Sequence, residues 1–377
     1  MIENRKVTVM FVFPSLRSTR STKPSQTRRR VLGALLTLVV ASSLAACGSD
    51  ANSRDWELSD KTGPEGDAAW QQLVEDAKEE GEVVFYTAHA EDTMAKLAEA
   101  FEKEYGIEVK VFRAVDSDLE PKLDAENKSG NHVADIVGIS DEAYLRTKSA
   151  AGEYAEPEGP ALEEAGFDRE TNTLAPGVVR SVATTMSYAW NTEFHADGLD
   201  DFDGLLDPSL SDGKIGVLSP FTPAVMDFYV YLEENYGADF VEELAKQDPR
   251  IYDSGAALAE ALASGEIVAA TQVSQVALYA AKEAGAPVDG GLADPAWAAN
   301  LYEAVLTDAP HPNAAQLLLN YMFTPAGQEI LGEHIATVLP DIPSAVTTAD
   351  KTTTGGVMNA EPEVFDRFVA RFNELFH

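Results

Sequence analysis

The run Gly81-Glu82-Val83-Val84-Phe85-Tyr86-Thr87-Ala88-His89 decides the reading of the fold. A glycine closes what precedes it, four apolar residues follow in a row, and a polar loop ends the run. A short unbroken apolar stretch between turn signals is a strand buried on both faces. Upstream, Trp70, Leu73 and Ala77 recur at helical spacing, which predicts a helix over 68–80 stopped by Gly81. Downstream, Met94, Leu97, Ala98, Phe101 and Tyr105 mark one face of a helix ended by Gly106. Val109, Val111 and Arg113 belong to a second strand, Leu119 and Leu123 to a short helix, and Ala134-Asp135-Ile136-Val137-Gly138-Ile139 to a third strand. This alternation predicts an α/β fold with a mainly parallel sheet covered on both faces. Ligands of such sheets sit beyond the carboxyl ends of the strands, here the loops 87–92, 114–118 and 140–142.

A second unit of the same kind follows. Residues 178–190 have extended character, and Lys214-Ile215-Gly216-Val217-Leu218 is a buried strand ending in a loop at 219–223. A helix carries Met226, Tyr229, Leu232 and Tyr236; 256–263 is helical; Gly265-Glu266-Ile267-Val268-Ala269-Ala270 is a strand, with 271–275 as its loop. The next helix runs through Leu278 and Ala281. Segments near 295–306 and 313–323 read as helical. A terminal helix over 362–376 gathers Phe365, Phe368, Val369, Phe372 and Leu375 on one face. No internal repeat of fixed period is visible.

The front of the chain is of another kind. Eight basic residues and one acid stand before Cys47, whereas from Cys47 onward 20 Lys and Arg face 62 Asp and Glu. Arg28, Arg29 and Arg30 precede an apolar run from Val31 to Ala46, too short for a bilayer-spanning helix, which needs roughly 20 residues. Basic, then apolar, then small residues is the anatomy of a secretory signal. Leu44-Ala45-Ala46-Cys47-Gly48 resembles a bacterial lipobox, and that resemblance implies a lipid anchor on Cys47 after removal of residues 1–46. Thr27-Arg28-Arg29-Arg30-Val31-Leu32 resembles a twin-arginine signal, so Sec and twin-arginine export both stay open. Residues 47–67 are polar and read as a tether, reaching roughly 25 Å on average for about 20 residues. With a single cysteine, no disulfide forms within the chain. An acidic surface repels phosphate backbones, which excludes nucleic acid as a partner.

The order of these motifs resembles the bacterial extracellular solute-binding family whose best-known members bind ferric iron, with relatives for thiamine, polyamines and phosphonates. The opening strand and loop at 81–89 match it, as do Phe101-Glu102-Lys103-Glu104-Tyr105-Gly106-Ile107-Glu108-Val109, Ala134-Asp135-Ile136-Val137, Tyr252-Asp253-Ser254-Gly255 and Ala263-Ser264-Gly265-Glu266. His311-Pro312-Asn313-Ala314-Ala315 followed by Thr324-Pro325-Ala326-Gly327-Gln328 is the most specific match. The resemblance implies a two-lobed, class II periplasmic-binding-protein fold with the ligand in the cleft between the lobes. Lobe 1 is expected over 68–185 and 288–345 and lobe 2 over 186–287. The crossings are expected near Val182–Trp190 and Ala286–Gly291, and 346–377 is expected to pack on the lobes. The implied partners are a small-molecule ligand, ABC permease and ATPase subunits, and the outer face of the cytoplasmic membrane through lipid on Cys47. The protein is expected to act as a monomer, without a cofactor and without catalysis.

Candidate ligand residues fall on the expected strand-end loops: Thr87, His89, Ser117, Ser140, Asp141, Tyr188, Thr222, Gln272 and Gln275. Each polar one reads equally as a helix cap or turn residue. Asp116, Asp118 and Asp141 suit an ammonium group or a helix cap, and Arg113 a carboxylate or solvent. Tyr188 and Trp190 suit a stacked ligand or a lobe core. Iron-binding members of the family carry two adjacent tyrosines where this chain has Gln275-Val276, with Tyr279 one turn on, and Ser140 stands where some have a carboxylate. Neutral hydrogen-bonding groups suit an organic solute or oxyanion better than bare Fe3+, which would need His89, Tyr188 or Tyr279 as donors. No Gly-x-Ser-x-Gly, Gly-x-x-x-x-Gly-Lys or His-Glu-x-x-His motif is present. A sensor or an enzyme on the same fold stays open.

Overall fold

The computed structural model describes residues 66–377, apart from residue 165. The expected signal segment, Cys47 and nearly all of the tether lie outside the described residues. In chain order the elements are α1 (Gly66–Glu80), β1 (Glu82–Thr87), α2 (Glu91–Tyr105), β2 (Glu108–Arg113), α3 (Asp116–Ser129), β3 (Ile136–Ile139), α4 (Glu142–Ala150), α5 (Arg169–Asn172), β4 (Thr173–Ala175) and β5 (Val178–Asn191). Then come β6 (Ile215–Leu218), α6 (Pro223–Tyr236), α7 (Phe240–Ala245), β7 (Arg250–Tyr252), α8 (Gly255–Ser264), β8 (Ala269–Ser274), α9 (Gln275–Glu283), β9 (Val288–Gly291) and β10 (Ala296–Val305). The chain closes with α10 (Pro312–Met322), α11 (Pro325–Leu331), β11 (Ala336–Thr337), β12 (Thr347–Thr348), β13 (Thr352–Thr353) and α12 (Pro362–Phe376). Among the described residues no helix is long and apolar enough to cross a membrane.

The strand order is β2-β1-β3-β10-β5-β8-β6-β7. At one end β2, β1 and β3 are parallel; at the other, β8, β6 and β7 are parallel. Between them β10 and β5 run antiparallel to their neighbours. Each parallel trio has its own apolar core. Phe85, Phe101 and Leu318 anchor the first, covering one sheet face, and Leu119, Val137 and Leu145 cover the other. Val217, Phe228 and Leu262 anchor the second. These are two lobes, each sheet sandwiched by helices as buried parallel strands require.

β5 is common to both sheets. Val179 to Thr185 pair with β10 in lobe 1, and Met186 to Trp190 pair with β8 in lobe 2. β10 makes the second crossing: Trp297 sits in the lobe-2 core and Ala304 in lobe 1. The sequence placed this crossing near Ala286–Gly291 and read 295–306 as helix; both expectations are corrected. Residues 288–291 form β9 and pair with the lobe-2 half of β5, so the chain stays in lobe 2 there and crosses only in β10. Ala296, Ala298 and Ala299 favour helix intrinsically, but the pairing of Ala296 with β13 and of Ala298 and Ala299 with β5 outweighs that preference.

A third passage follows β13. Ala349 packs in the lobe-1 core, while Met358, Phe368 and Phe372 pack in lobe 2. The terminal helix therefore lies on lobe 2, its Phe372 ring 5.4 Å from that of Tyr229. Truncating Phe372, 2% exposed, to Ala is expected to cost about 3 kcal/mol, the low end for deleting a buried phenyl ring. Urea unfolding of the variant checks this.

Candidate functional site

The parallel strands of both lobes end in loops that start helices. In lobe 1 these ends are β1 into α2, β2 into α3 and β3 into α4; in lobe 2, β6 into α6, β7 into α8 and β8 into α9. Helix starts leave backbone N–H groups without intrahelical partners. Several sequence candidates fill that need. Asp141 caps α4, accepting from the Tyr144 amide at 2.8 Å. Thr222 caps α6 at 3.4 Å to the Val225 amide. Ser274, which was not a candidate, caps α9 in the same way, at 3.2 Å to the Ala277 amide. Asp141→Ala is expected to cost about 1 kcal/mol from the lost cap, read from the shift in urea midpoint.

Thr87 is fully buried, and its Oγ1 accepts from the His89 amide at 3.1 Å. His89 is also buried. Its Nε2 lies 2.7 Å from Oε1 of Glu303, a carboxylate with no exposure, and Ser181 Oγ donates to the same oxygen at 2.9 Å. The Glu303 carboxyl occupies the space a side chain at Gly138 would need. The imidazole is therefore engaged inside lobe 1. Arg113 Nε reaches back to the His89 carbonyl at 3.4 Å.

Ser117 is exposed in the first turn of α3. Ser140 is exposed at the end of β3, and both its amide (3.0 Å) and its hydroxyl (2.6 Å) donate to Asp116. Glu120, on α3, has its pKa pushed up to about 7 by burial, then by Asp141, Asp116 and Asp124. Raised from an ordinary value of 4.5, this carboxyl holds its proton in the folded state and releases it in the unfolded one. Its contribution to stability is present below pH 4.5 and is lost as pH rises to about 7. Glu120→Gln is expected to flatten that fall, which urea midpoints at pH 5 and pH 8 would show.

In lobe 2, Tyr188 packs against Phe202 in the core and donates its hydroxyl to the Asp200 carbonyl at 2.7 Å. Burial, then Asp201 and Asp200, raise its pKa, so phenolate formation is disfavoured. Trp190 stacks beside it, 6.3 Å between ring centroids. Gln275 is buried at the first position of α9. Gln272 is not on a loop as expected but inside β8, which starts four residues later than the sequence suggested because it follows the ladder to β5. Tyr279 stacks face to face on His334, 4.1 Å between centroids and 6° between planes. His334 lies between Leu331 and Ile335 of the lobe-1 core, so this contact bridges the lobes.

Gln272 belongs to a cluster whose other members are not sequence candidates. Of six buried side-chain atoms without a hydrogen-bond partner among the described residues, four lie on β5 and β8: Thr185 Oγ1, Ser187 Oγ, Thr271 Oγ1 and Gln272 Oε1. They flank the crossing, where β5–β8 pairing shifts register between Ser187 and Ala189. Each such group costs about 1–3 kcal/mol if it stays unpaired, so the concentration calls for partners the chain does not supply, water or a solute. The available signal was a series of hydroxyl residues in an otherwise apolar strand. Exposed apolar side chains also gather at the helix starts: Val115 before α3, Phe221 just ahead of α6 and Val276 in α9 are 48%, 49% and 46% exposed. Among the described residues no group of three or more His, Cys, Asp or Glu is placed to hold a metal ion.

Two α/β lobes joined by shared strands, with strand-end rims contributed by both, define a two-lobed ligand-binding fold. The chain belongs to the bacterial extracellular solute-binding protein family, whose model matches residues 83–334. Comparison with curated proteins finds no match. Similar solved structures include iron-bound HitA from Pseudomonas aeruginosa, at 19% identity and a TM-score of 0.58 over 78% of this chain and 99% of that one. A substrate-binding protein of an ABC transporter from Agrobacterium tumefaciens has 15% identity and a TM-score of 0.60 over 78% and 94%. AgtB from A. tumefaciens R10, in complex with agropinic acid, has 17% identity and a TM-score of 0.52 over 78% and 98%. At these identities the likeness is one of fold.

Proposed function

We propose that this chain is the solute-capturing subunit of an ABC importer, held at the outer face of the cytoplasmic membrane by lipid on Cys47. One observation carries the reading: β5 pairs in both lobes, so the strand-end rims are coupled through a shared strand beside which polar groups lie unpartnered. Closure about such a hinge lets a solute touch both lobes, and the solute then favours the closed state by differential binding. A permease reads the closed shape. The solute is a small organic molecule, contacted by Ser117, Ser140 and Gln275 and by the apolar Val115, Phe221 and Val276. Ferric iron fits poorly. His89 is committed to Glu303, Tyr188 to the lobe-2 core and Tyr279 to His334, so the three expected donors do not converge.

A thermal-shift screen over amines, amino acids, sugars, carboxylates and ferric citrate tests the reading. A solute at 100 times its Kd is expected to stabilise the folded chain by about 2.7 kcal/mol. Turnover of a compound that brings no such stabilisation would point to an enzyme instead.

A further inference from the structure

The third passage between the lobes carries more than a connection. Gly355 and Val357 amides each donate to the buried Asp227 carboxylate of α6 at 2.6 Å, and Trp297 Nε1 donates to it at 2.8 Å. Gly355 lies so close to the Asp227 and Tyr231 backbone that any side chain there would collide. Residues 354–359 are thus a strap fastened to lobe 2. Thr354, Met358 and Asn359 of the strap line a cavity of ≈ 90 Å³, whose opposite wall is Ser140, Glu142 and Asn300. Ser140 ends β3 and Glu142 opens α4, so that wall is the lobe-1 rim assigned above to the solute. One wall moves with lobe 1 and the other is pinned to lobe 2.

The lining is rich in acceptors. Glu142 Oε1 accepts from Tyr302 at 2.6 Å, which leaves Oε2 with Arg146 at 3.6 Å as its nearest cation. Ser140 already spends its proton on Asp116, so its oxygen is left to accept. Asn300 Oδ1 receives a long contact from Arg180 at 3.3 Å. Asp116, bonded to Ser140, and Asp141 add two acids to Glu142 at this wall, against the guanidiniums of Arg146 and Arg180, and the balance disfavours a carboxylate or phosphate there. A cavity of about 150 Å³ holds one benzene, so this smaller one takes an end group and not a whole solute.

Resting on the solute-binding reading, we propose that the strap is a third wall of the cleft and forms, with Ser140, Glu142 and Asn300, a subsite for one positively charged, hydrogen-bond-donating end group of the solute. The strap residues then act on specificity: they close over the end group only when the lobes close.

Calorimetric titration of the full-length chain with 1,4-diaminobutane, 1,4-butanediol and succinate tests this, since the three share a length and differ in charge. The diamine is expected to bind one to one and the other two not at all. Asn359→Leu replaces the strap's polar group in the cavity by an apolar one of nearly the same shape and is expected to weaken the diamine at least tenfold, with the ligand-free unfolding midpoint unchanged. Glu142→Gln is expected to weaken it similarly. Succinate or the diol binding in place of the diamine would overturn the subsite's chemistry. A solute from the broad screen that binds wild type and Asn359→Leu equally would overturn the strap's role and leave solute binding intact. If nothing in either set binds, both readings fall together.

Discussion

Replacing Asp227 by Ala is expected to destabilise the chain by about 3–5 kcal/mol and to loosen everything after Thr353. The carboxylate is fully buried and accepts three hydrogen bonds, from Trp297, Gly355 and Val357. Hydrogen bonds to a charged group are roughly twice as strong as neutral ones. Alanine removes the acceptor and leaves three donors facing a cavity, each costing about 1–3 kcal/mol if unpaired. Part of that is recovered because the strap can peel away and hydrate its amides. That relief is itself diagnostic: α12 should lose hydrogen-exchange protection ahead of the rest of lobe 2. Urea unfolding with exchange mass spectrometry checks both parts. Uniform exchange across lobe 2 would show that the strap is held by other contacts.

His89→Ala is the second large effect, expected at about 3 kcal/mol. The substitution strips Glu303 of its 2.7 Å partner in a fully buried position, where Ser181 alone remains and Oε2 already has none. Breaking a buried pair by removing one member is more damaging than removing both. The double variant His89→Ala with Glu303→Leu is therefore expected to regain part of the loss. A simple ligand-contact role for His89 predicts the opposite: normal stability, lost solute binding and no rescue. Comparing urea midpoints of the single and double variants separates the two.

Much of the fold was legible in local pattern. Val83 to Tyr86, Ile136 to Ile139 and Ile215 to Leu218 are short apolar runs, and each is a parallel strand buried by helices on both faces. Gly106 closes α2 in the left-handed conformation, as its place after Tyr105 implied. What was not legible depended on long-range pairing. Alanines at 296, 298 and 299 carry no strand signal of their own, and the crossing they form exists because β13 pairs with Ala296 and β5 with Ala298 and Ala299. The start of β8 likewise follows its partner. The same holds for the site. Exposed positions such as Ser117, in the first turn of α3, and Ser140, just after β3, were found from strand ends. His89 looked identical in sequence, and only the buried Glu303, over 200 positions away, shows where its ring points. Nothing near Thr354–Asn359 pointed to the cleft, because the strap's meaning lies in Asp227, 128 positions before Gly355.

Lobe closure itself is open to direct measurement. In a Cys47→Ser background, spin labels placed through Glu99→Cys on α2 and Glu260→Cys on α8 report the distance between the lobes by double electron–electron resonance. Both positions are exposed and sit on opposite lobes. Adding a solute that stabilises the chain should shorten and narrow the distance distribution. A distribution left unchanged at saturating solute would contradict the account, because the guest would then be held without bringing the two rims together.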